Sequence, residues 1–134
     1  MEQYESKQAA IRRSAEQIYM VLSDFSNFTP ILKDKVENWQ ADENSCSFSV
    51  KGFTAALKIV NKEPFKVIKI TGDNTPIDFN FWIQMKELSP DDTRIRLVLH
   101  AEMNMMIKMM IGNKIQKALD EMVDQIATSF NSFL

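Results

Sequence analysis

Acid–base or nucleophilic chemistry needs a polar group held beside a partner in a protected place. Few residues of this chain qualify. His100 is the one histidine. Around it Ile95, Leu97, Leu99 and Ala101 alternate with Arg96, Val98, His100 and Glu102, which puts the imidazole on the wet face of a strand. We read it as a surface histidine; a bulge or a flipped register would turn it inward as a general base. Cys46 has the opposite, dry parity with Phe48 and Val50, so it reads as a small core residue. A reactive thiolate would need positive charge beside it. Metal sites need clustered His, Cys or carboxylate ligands, and one His and one Cys far apart in sequence make no cluster. Asp91-Asp92 falls in a turn and Asp120-Glu121 on a polar helix face, both readable as solvated charge. Gly52, Gly72 and Gly112 build no phosphate-cradling loop. We expect no catalytic residue, no metal and no cofactor.

The unusual feature is methionine. Met103, Met105, Met106, Met109 and Met110 fall within eight residues and make up five of the nine in the chain. Met is flexible and polarisable, fills gaps in cores, and recurs on surfaces that accept varied apolar partners. In a fold whose pocket is lined by its own core, the two roles overlap. Phe79, Phe81 and Ile83 share one parity, as do Leu97 and Leu99. If these strands form a hairpin about Ser89–Asp92, Phe81 faces Ala101, and a large residue opposite a small one leaves space. The expected pocket lining is therefore Phe79, Phe81, Ile83, Leu97, Leu99, Met103, Met106, Met109 and Met110. Phe25 and Phe28 are expected at the pocket mouth, with plain core packing as the alternative. Trp82 has outward parity and neighbours Val98, a modest patch suited to a homodimer or other partner, or simply a partly covered tryptophan.

These residues need elements to position them. Residues 3–13 read as a first strand. Ser14-Ala15-Glu16-Gln17 is a capping box, in which Ser14 accepts from the Gln17 amide and Gln17 reaches back. Ile18, Val21, Leu22 and Phe25 follow at helical spacing. Ser26 or Asn27 is expected to cap a second short helix with Phe28, Ile31 and Leu32 as its apolar face. From Val36 the period becomes two, which reads as six strands, with turn-forming runs at 42–44, 61–64, 72–76 and 89–92 among their connections. Period-two alternation describes antiparallel strands with one dry face. The last segment is helical, with Ile111, Ile115, Leu119, Met122, Val123, Ile126 and Phe130 on one stripe and Asn104 as N-cap. It spans about 26 residues, or about 39 Å. Its start is apolar nearly all round, so that end is expected to be the most enclosed.

The expected order is strand, two short helices, six strands, long helix: an α+β helix-grip fold, a curved antiparallel sheet of about seven strands wrapped on a C-terminal helix. A half-dry sheet must cover its apolar face, and this helix carries the complementary stripe. A chain of 134 residues with no linker or repeat reads as one domain, 1–134. It is long enough to fold without disulfides or metal. With 16 basic and 18 acidic residues the charge is mixed, and the basic side chains are dispersed among acids. That argues against nucleic acid as a partner. The sequence shows no signal peptide and no transmembrane segment, so a cytoplasmic location is the default.

With that order in hand, the chain resembles the START-related, polyketide-cyclase-like superfamily (SRPBCC), which includes the birch-pollen-allergen fold. The run SAEQIYMVLSDFSNF, residues 14–28, is similar to the small-residue cap, acid, aromatic and Leu-Ser-Asp pattern after the first strand of that family. FNFWIQMKEL, residues 79–88, and the Met-rich start of the last helix resemble a subgroup of uncharacterised bacterial members. The resemblance covers nearly the whole chain in element order, and it implies a cavity between sheet and helix that holds a lipid, polyketide, quinone or other apolar molecule in various relatives. Fold alone does not select among carriers, cyclases and protein-binding members. Our leading expectation is non-catalytic binding of an apolar small molecule, with access gated by the early last helix and the Gly72–Asp78 loop. A cyclase or dehydratase would need inward polar groups, for which Asn61 and Asn38 are the candidates. A protein-interaction module like the chaperone-activating branch would use Trp82 and Val98. A dry void of about 500 Å³ would cost roughly 12 kcal/mol at about 24 cal/mol per Å³, comparable with a domain's stability of about 5–15 kcal/mol. The pocket is therefore expected to be small, hydrated or occupied.

Overall fold

The computed structural model describes residues 1–50, 52–73, 75 and 77–132, and within these not the side chains of Ile31, Val50 and Phe53. The chain starts with two short strands, β1 (Glu2–Glu5) and β2 (Ala9–Ile11), where the sequence led us to expect one. Both pair with the same later strand, and the break between them has a local cause. Ser6 donates its amide to the Leu97 carbonyl at 2.8 Å and accepts the Leu97 amide on its hydroxyl at 2.9 Å. A side chain thus replaces backbone in the ladder, and the strand kinks.

The capping box forms as expected. Ser14 Oγ accepts from the Gln17 amide at 3.2 Å and Gln17 Oε1 from the Ser14 amide at 3.0 Å, starting α1 (Ala15–Leu22). Ala15, Ile18 and Leu22 give it a buried face. A 3-10 turn (Phe25–Phe28) and α2 (Thr29–Leu32) follow. The cap of this second unit is Asp24, not Ser26 or Asn27: its carboxylate accepts both the Ser26 amide and the Ser26 hydroxyl. An aspartate held in extended backbone is the better acceptor there.

Six strands come next: β3 (Glu37–Ala41), β4 (Ser45–Val50), β5 (Phe53–Glu63), β6 (Val67–Asp73), β7 (Phe79–Ser89) and β8 (Asp92–Ala101). They form a curved antiparallel sheet of order β1-β8-β7-β6-β5-β4-β3, with β2 also on β8, eight strands in all among the described residues. The last element is α3 (Met105–Asn131), whose N-cap Asn104 accepts from the Ile107 amide at 2.8 Å. The architecture is the α+β helix-grip fold.

Register decides which residues share the concave face. Phe81 lies opposite Leu99, and Phe79 opposite Ala101, so the expected Phe81–Ala101 pair is displaced by one pair. The hairpin closes through Ser89 and Asp92 as expected, and a bulge between Glu87 and Ser89 shifts the register of the pairs beyond it. Met103 correspondingly falls outside β8, in its connection to α3. Ile11, Ile18, Ile68, Ile95, Leu97 and Val123 are fully buried, which locates the packed centre between β8, β7, β6, α1 and the second half of α3.

Candidate functional site

A row of polar contacts fixes α3 along one edge of the sheet. Lys108 pairs with Glu2 at 3.2 Å, and Gln116 Nε2 donates to the Glu5 carbonyl at 2.6 Å. Asp120 accepts the Lys7 amide at 2.7 Å, while the Lys7 ammonium reaches Asp124 at 2.7 Å. Asn131 accepts the Arg12 amide at 2.8 Å and donates to the Ala10 carbonyl at 3.2 Å. Gly112 stands against Tyr4: a β-carbon at that position would lie 3.4 Å from the Tyr4 hydroxyl. The helix is thus bound to β1 and β2 along its length.

Apolar burial is less even. Leu119, Val123 and Ala127 are buried and join the core. At the same end α1, the 3-10 turn and α2 close the sheet. The Ala15 amide donates to Glu87 at 2.9 Å, the Phe25 amide to the Glu43 carbonyl at 3.0 Å, and Trp39 Nε1 to Thr29 Oγ1 at 2.8 Å. Away from these contacts the concave face is only partly covered. Trp39, Phe48, Leu57, Phe81 and Leu99, from five strands, are half-buried and packed on the core. Trp39 and Phe48 lean together with ring centroids 6.2 Å apart. Leu57 faces Gly72 across β5 and β6. A β-carbon on Gly72 would strike the Thr75 hydroxyl and come within 2.9 Å of the Phe79 ring, so glycine there lets Phe79 lie close over β6. Ile115 and Ile111 of α3 are also incompletely covered.

The expected lining residues therefore separate into three groups. Phe79, Phe81 and Leu99 are half-buried on the concave face, and Ile83 and Leu97 are buried beneath it as its floor. Met103 is half-buried and borders a depression of about 430 Å³ with Ile77, Asp78, Glu102, Asn104 and Ile107. This depression is where the start of α3 meets the end of the β6–β7 loop, the two elements expected to gate access. Asn74 and Pro76 of that loop lie outside the described residues.

Met106, Met109 and Met110 require correction: with Met105 they are 68 to 79% exposed. The start of α3 is the least enclosed part of the helix, not the most. At about 100° per residue, Met106 and Met110 lie roughly 140° and 180° around the axis from Leu119, so they point away from the sheet. Phe25, expected at a mouth, is a core residue at 5% exposure, and Phe28 packs on it with centroids 6.2 Å apart. Trp39, Phe48 and Leu57, half-buried against the core on the concave face, are not among the residues expected there. The dry parity of Phe48 with Cys46 was a usable signal. Trp39 was hidden by the irregularity between Glu37 and Gln40, where Asn38 takes a positive φ of 56°.

Chemistry-bearing groups lie elsewhere. Burial pushes the Cys46 thiol up to about 11, so the sulfur stays protonated and unreactive near neutrality. His100 stands on the convex face, its ring centroid 4.7 Å from that of Trp82. Lys69 Nζ lies 5.4 Å from the Trp82 ring on its other strand neighbour. Val98 is 7% exposed, so Trp82 and Val98 do not make an open apolar patch. Asn38 and Asn61 are both exposed. Among the described residues no three His, Cys, Asp or Glu side chains cluster to hold a metal ion, and no helix is long and apolar enough to cross a membrane.

Sequence comparison supplies the family. The sequence model of the CoxG subunit of carbon monoxide dehydrogenase matches residues 8–134. The chain belongs to the CoxG family. Solved structures similar to this CoxG-family chain carry the same helix-grip fold. Norcoclaurine synthase from Thalictrum flavum, in complex with dopamine and hydroxybenzaldehyde, superposes with a TM-score of 0.75 at 13% identity, over 99% of this chain and 88% of that one. The protein XoxI from Bacillus cereus gives 0.67 at 13% identity, over 97% and 96%. The Aha1 dimer from Colwellia psychrerythraea gives 0.60 at 16% identity, over 90% and 97%. No curated protein sequence matches the chain. The superfamily resemblance read from residues 14–28 and 79–88 is thereby confirmed for the CoxG-family chain.

Proposed function

We propose that this CoxG-family chain binds an apolar small molecule, lipid-like or aromatic, against the concave face of its sheet beside α3. The observation that carries the reading is the set of half-buried Trp39, Phe48, Leu57, Phe81 and Leu99, apolar side chains from five strands that the fold's own elements leave incompletely covered. Phe79 and Met103 extend this surface toward the depression at the start of α3, and Ile83 and Leu97 support it from below. The aromatic pair bound by norcoclaurine synthase, a protein of the same fold, is in keeping with an aromatic or similarly sized ligand. Affinity would come from apolar area removed from water at about 25 cal/mol per Å², less the cost of immobilising the ligand.

Native mass spectrometry of gently purified protein should show an added apolar mass, and a fluorescent fatty-acid probe should bind. Trp39→Ala and Phe81→Asn should each weaken probe binding about tenfold or more, since each removes one large apolar contact. Protein that is repeatedly empty and refuses such probes would overturn the proposal.

A second reading, self-association, is favoured by the fold shared with the Aha1 dimer. Val98 being buried, it would rest on Trp82 and its neighbours Lys69 and His100. Light scattering on Trp82→Ala tests it: an unchanged molecular mass removes this surface from consideration.

A further inference from the structure

At about 100° per residue, Met105, Met106, Met109 and Met110 share one arc of about 140° on the first turns of α3, and all four stand in solvent. Met109 is the hub: it is the i+4 neighbour of Met105 and the i+3 neighbour of Met106. Side chains at these spacings have β-carbons about 5–6 Å apart, a gap that a methionine with its three rotatable bonds can close. Nothing in the packing asks for methionine here. An exposed position has no gap to fill, and leucine is as good a helix former of similar size. What methionine has and leucine lacks is a thioether sulfur, a soft and uncharged donor.

The surroundings narrow what such donors hold. Zinc and hard ions need thiolate, imidazole or carboxylate ligands, and no three such side chains cluster among the described residues. Cys46, the other sulfur donor with an affinity for soft ions, is buried in β4. Lys108 lies between the methionines in sequence but about 130° around the axis from the middle of their arc, and it pairs with Glu2 at 3.2 Å. The positive end of the helix dipole opposes a cation in these turns. Asp78 and Glu102, beside Ile107 at the same end, supply the opposite charge. Lys114 lies one turn beyond Met110, which favours an ion placed nearer Met105, Met106 and Met109.

From this arrangement we infer that the first turns of α3 bind one Cu(I) ion through the thioethers of Met105, Met106 and Met109, with Met110 as a fourth ligand within exchange distance. Thioether sets select Cu(I) over the divalent ions. The expectation of no metal rests on His, Cys and carboxylate ligands and is silent on thioethers. These ligands are free side chains that must be ordered on binding, so the ion is exchangeable and not a structural metal. The inference goes beyond the apolar-ligand proposal and does not depend on it, because none of the four methionines belongs to the concave face described above.

Silver(I) nitrate, a soft ion of the same charge that needs no reductant, tests it by calorimetry on the full chain in chloride-free buffer. Native mass spectrometry with Cu(I), kept reduced by ascorbate without oxygen, is the parallel measurement. Each should show one ion per chain, and zinc(II) nitrate should show none at this site. In protein labelled with carbon-13 at the methionine methyl groups, silver should shift the signals of these methionines and not that of the buried Met85. Met106→Leu with Met109→Leu should lower affinity about tenfold or more, and leucine at all four positions should abolish binding. These variants keep the apolar surface and remove only sulfur, so a purely apolar contact face would be unaffected by them. They should retain far-ultraviolet circular dichroism and fatty-acid probe binding, and Cys46→Ala should bind silver as wild type does. Wild-type protein that takes up neither ion overturns the inference. So does a fourfold leucine variant that binds as well as wild type, or binding that disappears with Cys46→Ala. Failure of wild type to bind the fatty-acid probe, with metal uptake intact, would remove only the apolar-ligand proposal.

Discussion

The two halves of α3 are built from similar amounts of apolar sequence, yet Leu119, Val123 and Ala127 are buried while Met105, Met106, Met109 and Met110 stand in solvent. The second half has the packed centre of the sheet beneath it and α1 beside that centre. The first half is held to β1 by polar contacts and by the close approach of Gly112 to Tyr4, with Met106 and Met110 turned to the side of the helix away from the sheet. Apolar content on its own does not bury a helix turn. Burial requires an opposing surface, and these four side chains meet little of one among the described residues.

Leu119→Ala should produce the largest effect, a loss of about 2–5 kcal/mol in chemical denaturation, because it opens a void in a region that cannot collapse. If it costs under 1 kcal/mol, the second half is not the packed half and the contrast fails. Asn131→Ala removes both hydrogen bonds that fix the end of α3 to β2, and should cost about 1–2 kcal/mol in the same experiment. Gly112→Ala should raise stability by up to about 1 kcal/mol, since alanine is the better helix former and its methyl group meets Tyr4 only at contact distance. A net loss would mean that the first half packs more tightly on β1 than the exposed methionines suggest. Met106→Ser with Met110→Ser should change thermal stability least, by no more than about 0.5 kcal/mol per site. A larger change would show that these side chains are covered in solution.

Much of the fold could be read from the residues. The capping box at Ser14 and Gln17, the Asn104 cap, the period-two strands and the long final helix are local signals, each set by neighbours a few positions apart. The split of the first strand was not legible, because it arises when the Ser6 hydroxyl takes the place of backbone opposite Leu97, far away along the chain. The displaced Phe81–Leu99 pair comes from the bulge between Glu87 and Ser89, which alternation alone does not announce. For the candidate site, parity placed Phe79, Phe81, Ile83, Leu97 and Leu99 on the concave side. It did not distinguish the buried Ile83 and Leu97 from the half-buried Phe81 and Leu99, and Trp39 was concealed by the irregular backbone at Asn38.

Alternation and capping determined on their own that this chain makes a half-dry antiparallel sheet and one long amphipathic helix to lie across it, because each of those features is fixed by residues close in sequence. Where the helix sits along the sheet was decided only in three dimensions, by the polar contacts from Lys108 to Asn131 and by the positions of α1 and α2. The same methionines that composition would place in the interior stand outside it, because the fold turns Met106 and Met110 to the side of the helix away from the sheet.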